Sequence, residues 1–213
     1  MIFEMVLFIL GGAVVTLAVT LIALPMGLIL GTGFALMRVY GGKILSALAA
    51  FYSNVMRGVP PIVLLFILYF IIAGSINLSP FLAGSLALGI ISSSYQMEII
   101  RGAIQCVGSG QTMAARAIGM SSRKAIRYII LPQAFRYAIP GWANEASTVL
   151  KDSSLVYALG VPEILRRSQF VGARTHQPLL AFLAAAIIYF IMVFITNRII
   201  DTVERRTRIP DQP

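Results

Sequence analysis

Charge is scarce in this sequence. Lys, Arg, Asp and Glu make up 12% of its 213 residues, about half the share a soluble domain carries, and the mean hydropathy is +0.87. So apolar a chain is outside the range of a soluble globular domain, and an integral membrane protein is indicated. Cysteine is nearly absent too. Cys106 stands alone and His176 is the lone histidine, so no internal disulfide forms and the two cannot make a metal site. Cys106 is read as a small packing residue. No GxxxxGK[ST] phosphate cradle occurs, since Gly41-Gly42-Lys43 lacks both the earlier glycine and the hydroxyl residue. GxSxG and HExxH are also missing. Catalysis within this chain is therefore not indicated, and no cofactor is expected in it. The first apolar run has neither a basic flank nor a cleavage site, and reads as a retained helix.

What the chain does have is long charge-free runs. A bilayer core of about 30 Å takes about 20 helical residues, and by that ruler five crossings are expected, at about 5–37, 45–73, 80–104, 137–162 and 178–203. The first carries Pro25, tolerable in lipid, and Gly27 with Gly31, a GxxxG step that lets helices approach closely. The charge-free run from Val59 to Met97 is divided by the turn-rich Gly74-Ser75-Ile76-Asn77-Leu78-Ser79-Pro80. With the N-terminus outside, the inner connections hold Arg38, Lys43, Arg101, Arg116, Arg123, Lys124, Arg127, Arg136, Arg198, Arg205, Arg206 and Arg208. The outer ones hold only Arg166, Arg167 and Arg174. That asymmetry predicts N-out, C-in, and it accounts for the net charge of +9 without a nucleic-acid partner. The three outer arginines either face an acidic external partner or are simply solvated.

Between the third and fourth spans, residues 105–136 are expected to form a cytoplasmic coupling segment. Its centre, GQTMAARAIGMSSRKAIRYIILPQAFR from Gly110 to Arg136, is polar and basic. A short helix is predicted to Gly119, which suits a left-handed cap, and a second from Ser121, stopped before Pro132. Ala114, Ala115 and Ala117 leave a low surface for a partner's groove, ringed by Arg116, Arg123, Lys124 and Arg127. The first helix has too small an apolar face to lie on lipid.

At these residues the chain resembles a known family. Met113-Ala114-Ala115, three residues, Gly119, nine residues, then Ile129-Ile130-Leu131-Pro132 looks like the EAA loop of permease subunits of bacterial ABC importers. Arg57-Gly58-Val59-Pro60, the run Glu98-Ile99-Ile100-Arg101-Gly102-Ala103-Ile104-Gln105, Leu131-Pro132-Gln133-Ala134 and Lys151-Asp152-Ser153-Ser154-Leu155 resemble its polar amino acid branch. The resemblance implies a single all-α permease domain over 1–213 in a bacterial inner membrane. It further implies a second permease subunit, identical or not, and an external binding protein delivering amino acid. A cytoplasmic ABC ATPase dimer would bind ATP and Mg and grip Met113, Ala114, Ala115, Arg116, Ala117, Gly119, Met120 and Arg123. One departure stands out: Met113 occupies the place of the motif's glutamate. A salt bridge from that position is thereby put in doubt, while the helix-in-groove fit on Ala114, Ala115 and Gly119 is not. A mixed pair, with the glutamate on the other permease, would reconcile it.

Span four contains Glu145, Lys151 and Asp152, and each charge near a helix centre costs about 2.5–3.5 kcal/mol on insertion scales, so none should face lipid. Helical spacing puts Glu145 and Asp152 on one stripe and Asn144, Thr148 and Lys151 on its neighbour. Such walls suit the ammonium and the carboxylate of an amino acid, and a buried Glu145 hints at a cationic one. Candidate pathway residues are Asn54, Arg57, Ser94, Gln96, Glu98, Glu145, Lys151 and Asp152. For Lys151 and Asp152 the structural alternative is pairing with Arg57, Glu98 or backbone; serines such as Ser92 and Ser94 also serve as packing residues. Trp142 and Tyr189 are read as interface or packing aromatics. Alternating access is the expected mechanism. The rival readings are an ion-coupled secondary carrier, which leaves the basic hairpin unexplained, and a scaffold without transport of its own.

Overall fold

A computed structural model describes residues 2–207, all of whose regular structure is helical. Arg208, counted on the inner side, lies outside the described residues. The elements are α1 (Ile2–Leu10), α2 (Ala13–Tyr40), α3 (Gly42–Gly58), α4 (Pro61–Ile76), α5 (Pro80–Cys106), α6 (Ser109–Ala117), α7 (Ser122–Ala125), α8 (Leu131–Asp152), α9 (Ile164–Thr175) and α10 (Pro178–Thr207). A π-helical turn, Ile126–Ile130, joins α7 to α8, and a 3-10 stretch, Ser153–Leu159, follows α8.

Among the described residues, two helical segments are long and apolar enough to cross a bilayer: Ile2–Tyr40, made of α1 and α2, and Pro178–Thr207. Helices α3 and α4 meet that standard only as a pair, bent by 113° at the break. The bend follows from sequence: Val59 is extended (φ −106°, ψ 139°) before Pro60, and Pro61 opens α4, where its missing N–H is harmless. The 45–73 stretch, expected as one crossing, thus contains a corner at Val59-Pro60. Helices α5 and α8 miss the standard because serines, a glutamine and charged side chains lower their hydropathy, which marks them as inner helices.

Helix α5 is the centre of the bundle, packed against α2, α8, α4 and α3. Glycine makes the α2 contact possible. A Cβ on Gly31 would stand 2.8 Å from the Ser93 carbonyl oxygen and 2.9 Å from the Met97 nitrogen, so the GxxxG step brings two backbones together where a side chain would force them apart. One apolar cluster joins Val19, Leu65, Ala87, Leu88, Ala146 and Val156. A second, under the hairpin, gathers Ala35, Met97, Ile100, Ile130 and Ala134.

The third cluster, Ile9, Ile164, Ala181, Ala185 and Ile188, holds α1, α9 and α10. Here Gly12 sits against the start of α9, its missing Cβ leaving room 2.6 Å from the Ile164 nitrogen. Arg167 donates to the carbonyls of Phe8 (3.0 Å) and Pro162 (3.1 Å) and covers the Phe8 ring. It is therefore neither simply solvated nor aimed outward, but a tie between α1 and α9. Arg166 donates to Gln169 and stacks on Phe170. Two further readings are corrected. Cys106, expected as a packing residue, is exposed at the end of α5. Tyr189 donates from Oη to Glu163 at 2.6 Å, so it is a hydrogen-bonding residue as well as a packing one.

Candidate functional site: a basic hairpin and a buried polar cluster

The hairpin follows from its caps. Helix α6 ends at Ala117, and Gly119 adopts φ +81°, a left-handed conformation glycine takes without Cβ strain. Its N–H reaches the Arg116 carbonyl at 3.0 Å, and the Met120 N–H reaches that of Ala115 at 3.0 Å, closing the helix end. Ser121 then caps α7, accepting from the Lys124 N–H at 3.4 Å. Arg116 Nη1 donates to Ser122 Oγ at 2.6 Å and holds the two arms together.

Of the residues expected to couple, Met113, Ala114, Arg116, Ala117, Gly119 and Arg123 are exposed, and Met120 is half-buried. Ala115 is buried, so it supports the hairpin from beneath. Two apolar knobs project from the surface, Met113 at 65% exposure and Ile118 at 78%. Ile118 was not singled out in the sequence, because it falls between the motif positions.

Pro132 does not stop the second helix. In the π turn the Leu131 N–H bonds the Ile126 carbonyl, five residues back, and the widened turn passes directly into α8 with Pro132 at its second position. Ser122 to Asp152 is one unbroken helical rod, joining the hairpin to the charged residues of α8.

Inside the bundle α8 meets α5 in a polar cluster. Ser92 Oγ donates to Glu145 Oε1 at 2.6 Å, and Gln96 Nε2 donates to Ser92 Oγ at 3.0 Å and to the Leu24 carbonyl of α2 at 3.1 Å. Trp142 Nε1 donates to Gln96 Oε1 at 3.0 Å, so Trp142 is a member of the cluster and more than a packing aromatic. Gln96 is buried and Glu145 is 5% exposed. No other donor to Glu145 occurs among the described residues. Its carboxylate borders a cavity of about 10 Å³ shared with Tyr95, Thr148 and Asp152, room for about one water.

The structure thus brings Gln96, Glu145 and Asp152 together and leaves the other candidates elsewhere. Thr148 joins the acids, whereas Asn144 and Lys151 are exposed. Lys151 lies over a groove against α10 with Tyr189. Ser94 donates to the Ile91 carbonyl of its own helix at 2.7 Å. Glu98 is held by Arg101 (2.8 Å) and by Ser53 Oγ (3.0 Å), so it does not pair with Lys151. Asn54 and Arg57 are exposed on α3. Sequence reasoning passed over Glu163, which is 0% exposed and caps α9. A glutamate is outside the usual N-cap set of Ser, Thr, Asp and Asn, and Pro162 had marked the end of a span.

A bundle of apolar helices around one polar helix pair, with a basic hairpin built onto one of that pair, defines a multi-pass membrane protein. The chain belongs to the family of inner membrane components of binding-protein-dependent transport systems, whose family model matches residues 23–209. It is 33% identical over 205 residues to the octopine transport system permease protein OccQ of Rhizobium radiobacter, covering 90% of this chain and 86% of that one. It is 34% identical over 206 residues to the arginine transport system permease protein ArtQ of Bacillus subtilis strain 168, covering 96% and 94%. Among solved structures, an amino acid ABC transporter crystallised with histidines superposes with a TM-score of 0.83 at 34% identity, covering 93% of this chain and 94% of that one. The methionine transporter MetNI, inward facing, superposes with a TM-score of 0.84 at 18% identity, covering 97% and 99%, a likeness of fold alone.

Proposed function

We propose that this chain is the permease subunit of an ATP-driven, binding-protein-dependent importer of polar amino acids, cationic ones among them. It works as one of two permeases, N-terminus outside, with ATP and Mg held by a separate cytoplasmic ATPase pair. The observation that carries the reading is the continuous rod from Ser122 to Glu145, tied to α6 by Arg116: a partner that moves Ala114, Ala117 and Gly119 moves the rod through that tie, and the buried carboxylate with it. Relatives named for arginine transport and solved with histidines support the cationic preference, since a buried carboxylate favours a cation. A cavity of about 10 Å³ at Glu145 is too small for an amino acid, so cargo needs a second conformation in which α5 and α8 part, as alternating access requires.

Ala114→Trp tests the coupling surface, because it adds bulk at an exposed helical position without backbone strain. Purified from membranes, the variant should lose its ATPase partner while its own thermal midpoint stays within about 2 °C, as expected of a surface change. Gly119→Asn, tolerant of the left-handed geometry, should retain it. Stoichiometric ATPase on Ala114→Trp would count heavily against the assignment.

A further inference from the structure

Next to the polar cluster, one helical turn along from Gln96 and Leu24, a groove of about 280 Å³ runs between α8, α2 and α5. Phe135, Ala138, Ile139 and Trp142 of α8 line it, with Leu28 of α2 and Ile100 of α5. Trp142 offers the groove only its ring, since its indole N–H is bonded to Gln96. The one charged side chain on the lining is Arg136, in the second turn of α8. Among the described residues, nothing pairs with it or hydrogen-bonds to it. From Arg136 to Trp142 the groove follows six residues of α8, about 9 Å along the axis.

An amino acid does not suit this lining. Its ammonium would find no acceptor, and a charged group left without a partner in an apolar cleft is strongly disfavoured. An acyl chain below an anionic headgroup matches both ends. The apolar walls, the Arg136 stem among them, accept the chain, and the exposed Arg136 guanidinium beyond the groove binds phosphate through charge-assisted hydrogen bonds. Basic mouths of pockets between membrane helices hold anionic headgroups in this way. We propose that this groove is a binding site for one anionic phospholipid, its phosphate on Arg136 and an acyl chain reaching Trp142. The lipid would bear on α8 one turn from Glu145, seated against Leu28 and Ile100 as they stand here, and so favour the closed arrangement.

The test uses the whole transporter in mild detergent, titrated with phosphatidylglycerol or phosphatidylcholine and read by native mass spectrometry. Wild type should retain phosphatidylglycerol in preference to phosphatidylcholine. Arg136→Gln should weaken that binding about tenfold, the size of one charge-assisted contact, and Arg136→Lys should restore part of it. Ile139→Trp, which fills the groove, should abolish it. ATPase co-purification and thermal midpoint verify that each variant is folded and assembled, and they report on the proposed transport role independently of the lipid. Equal binding of the two lipids, or phosphatidylglycerol binding unchanged in both Arg136→Gln and Ile139→Trp, would overturn the proposal. So would efficient cross-linking of Ile139→Cys to a second permease subunit, which would make the groove a protein interface.

Discussion

Two carboxylates are buried among the described residues, and they are held in opposite ways. Glu163 is 0% exposed and accepts three hydrogen bonds: from the Leu165 N–H (2.8 Å), the Arg166 N–H (2.6 Å) and Tyr189 Oη (2.6 Å). Glu145 accepts one, from Ser92, and its remaining capacity borders a cavity shared with Asp152 and Thr148. A fully satisfied acid at a seam between α9 and α10 is committed to holding them. One that is half satisfied beside a polar crevice is available to a ligand, because unfilled hydrogen-bonding capacity in a low dielectric is what a cationic or polar cargo can complete.

The contrast can be broken by removing each acid in turn. Glu163→Ala should have the largest effect. It deletes an N-cap and strands the Tyr189 hydroxyl, together about 3 kcal/mol, and it should lower the thermal midpoint in detergent by roughly 6–12 °C. A midpoint unchanged by that substitution would end its structural role. Glu145→Gln keeps an acceptor for Ser92, so stability should hold within about 2 °C. Uptake of a cationic amino acid in reconstituted vesicles should fall about tenfold, with neutral substrates less affected. If the cationic preference survives intact, Glu145 does not read the cargo. Arg167→Gln should cost the least free energy, about 0.5–1 kcal/mol, or a midpoint drop of roughly 1–4 °C, since it loosens only the carbonyl contacts to Phe8 and Pro162 and the cover over the Phe8 ring. A larger drop would move the seam's centre from Glu163 to the arginine.

Much of the hairpin was legible because its signals are local. Gly119 requires a left-handed cap, Ser121 sits where a second helix needs an oxygen, and the alanines leave a surface that is low and exposed. Gly27 and Gly31 likewise announced a close approach, though not its partner. What escaped the sequence depends on distant partners. Ser94 and Ser92 read alike as letters, yet one hydroxyl turns back on its own helix and the other reaches Glu145 across fifty-three residues. Thr148 was assigned to the stripe of Lys151 by ideal spacing, but the crevice is wide enough to take it in with both acids. Pro132 was expected to end a helix, and an i+5 hydrogen bond just before it carries the chain through.

That π turn has a geometric consequence. It holds one residue more than an α-helical turn, so relaxing it to α geometry would rotate everything beyond it by about 100° and shift it about 1.5 Å relative to the hairpin. Glu145 and Trp142 lie beyond it, Ala114 and Gly119 before it. If the hairpin is gripped as proposed, a spare residue stored between it and Glu145 gives the rod a gear: a push at one end emerges as a twist at the other.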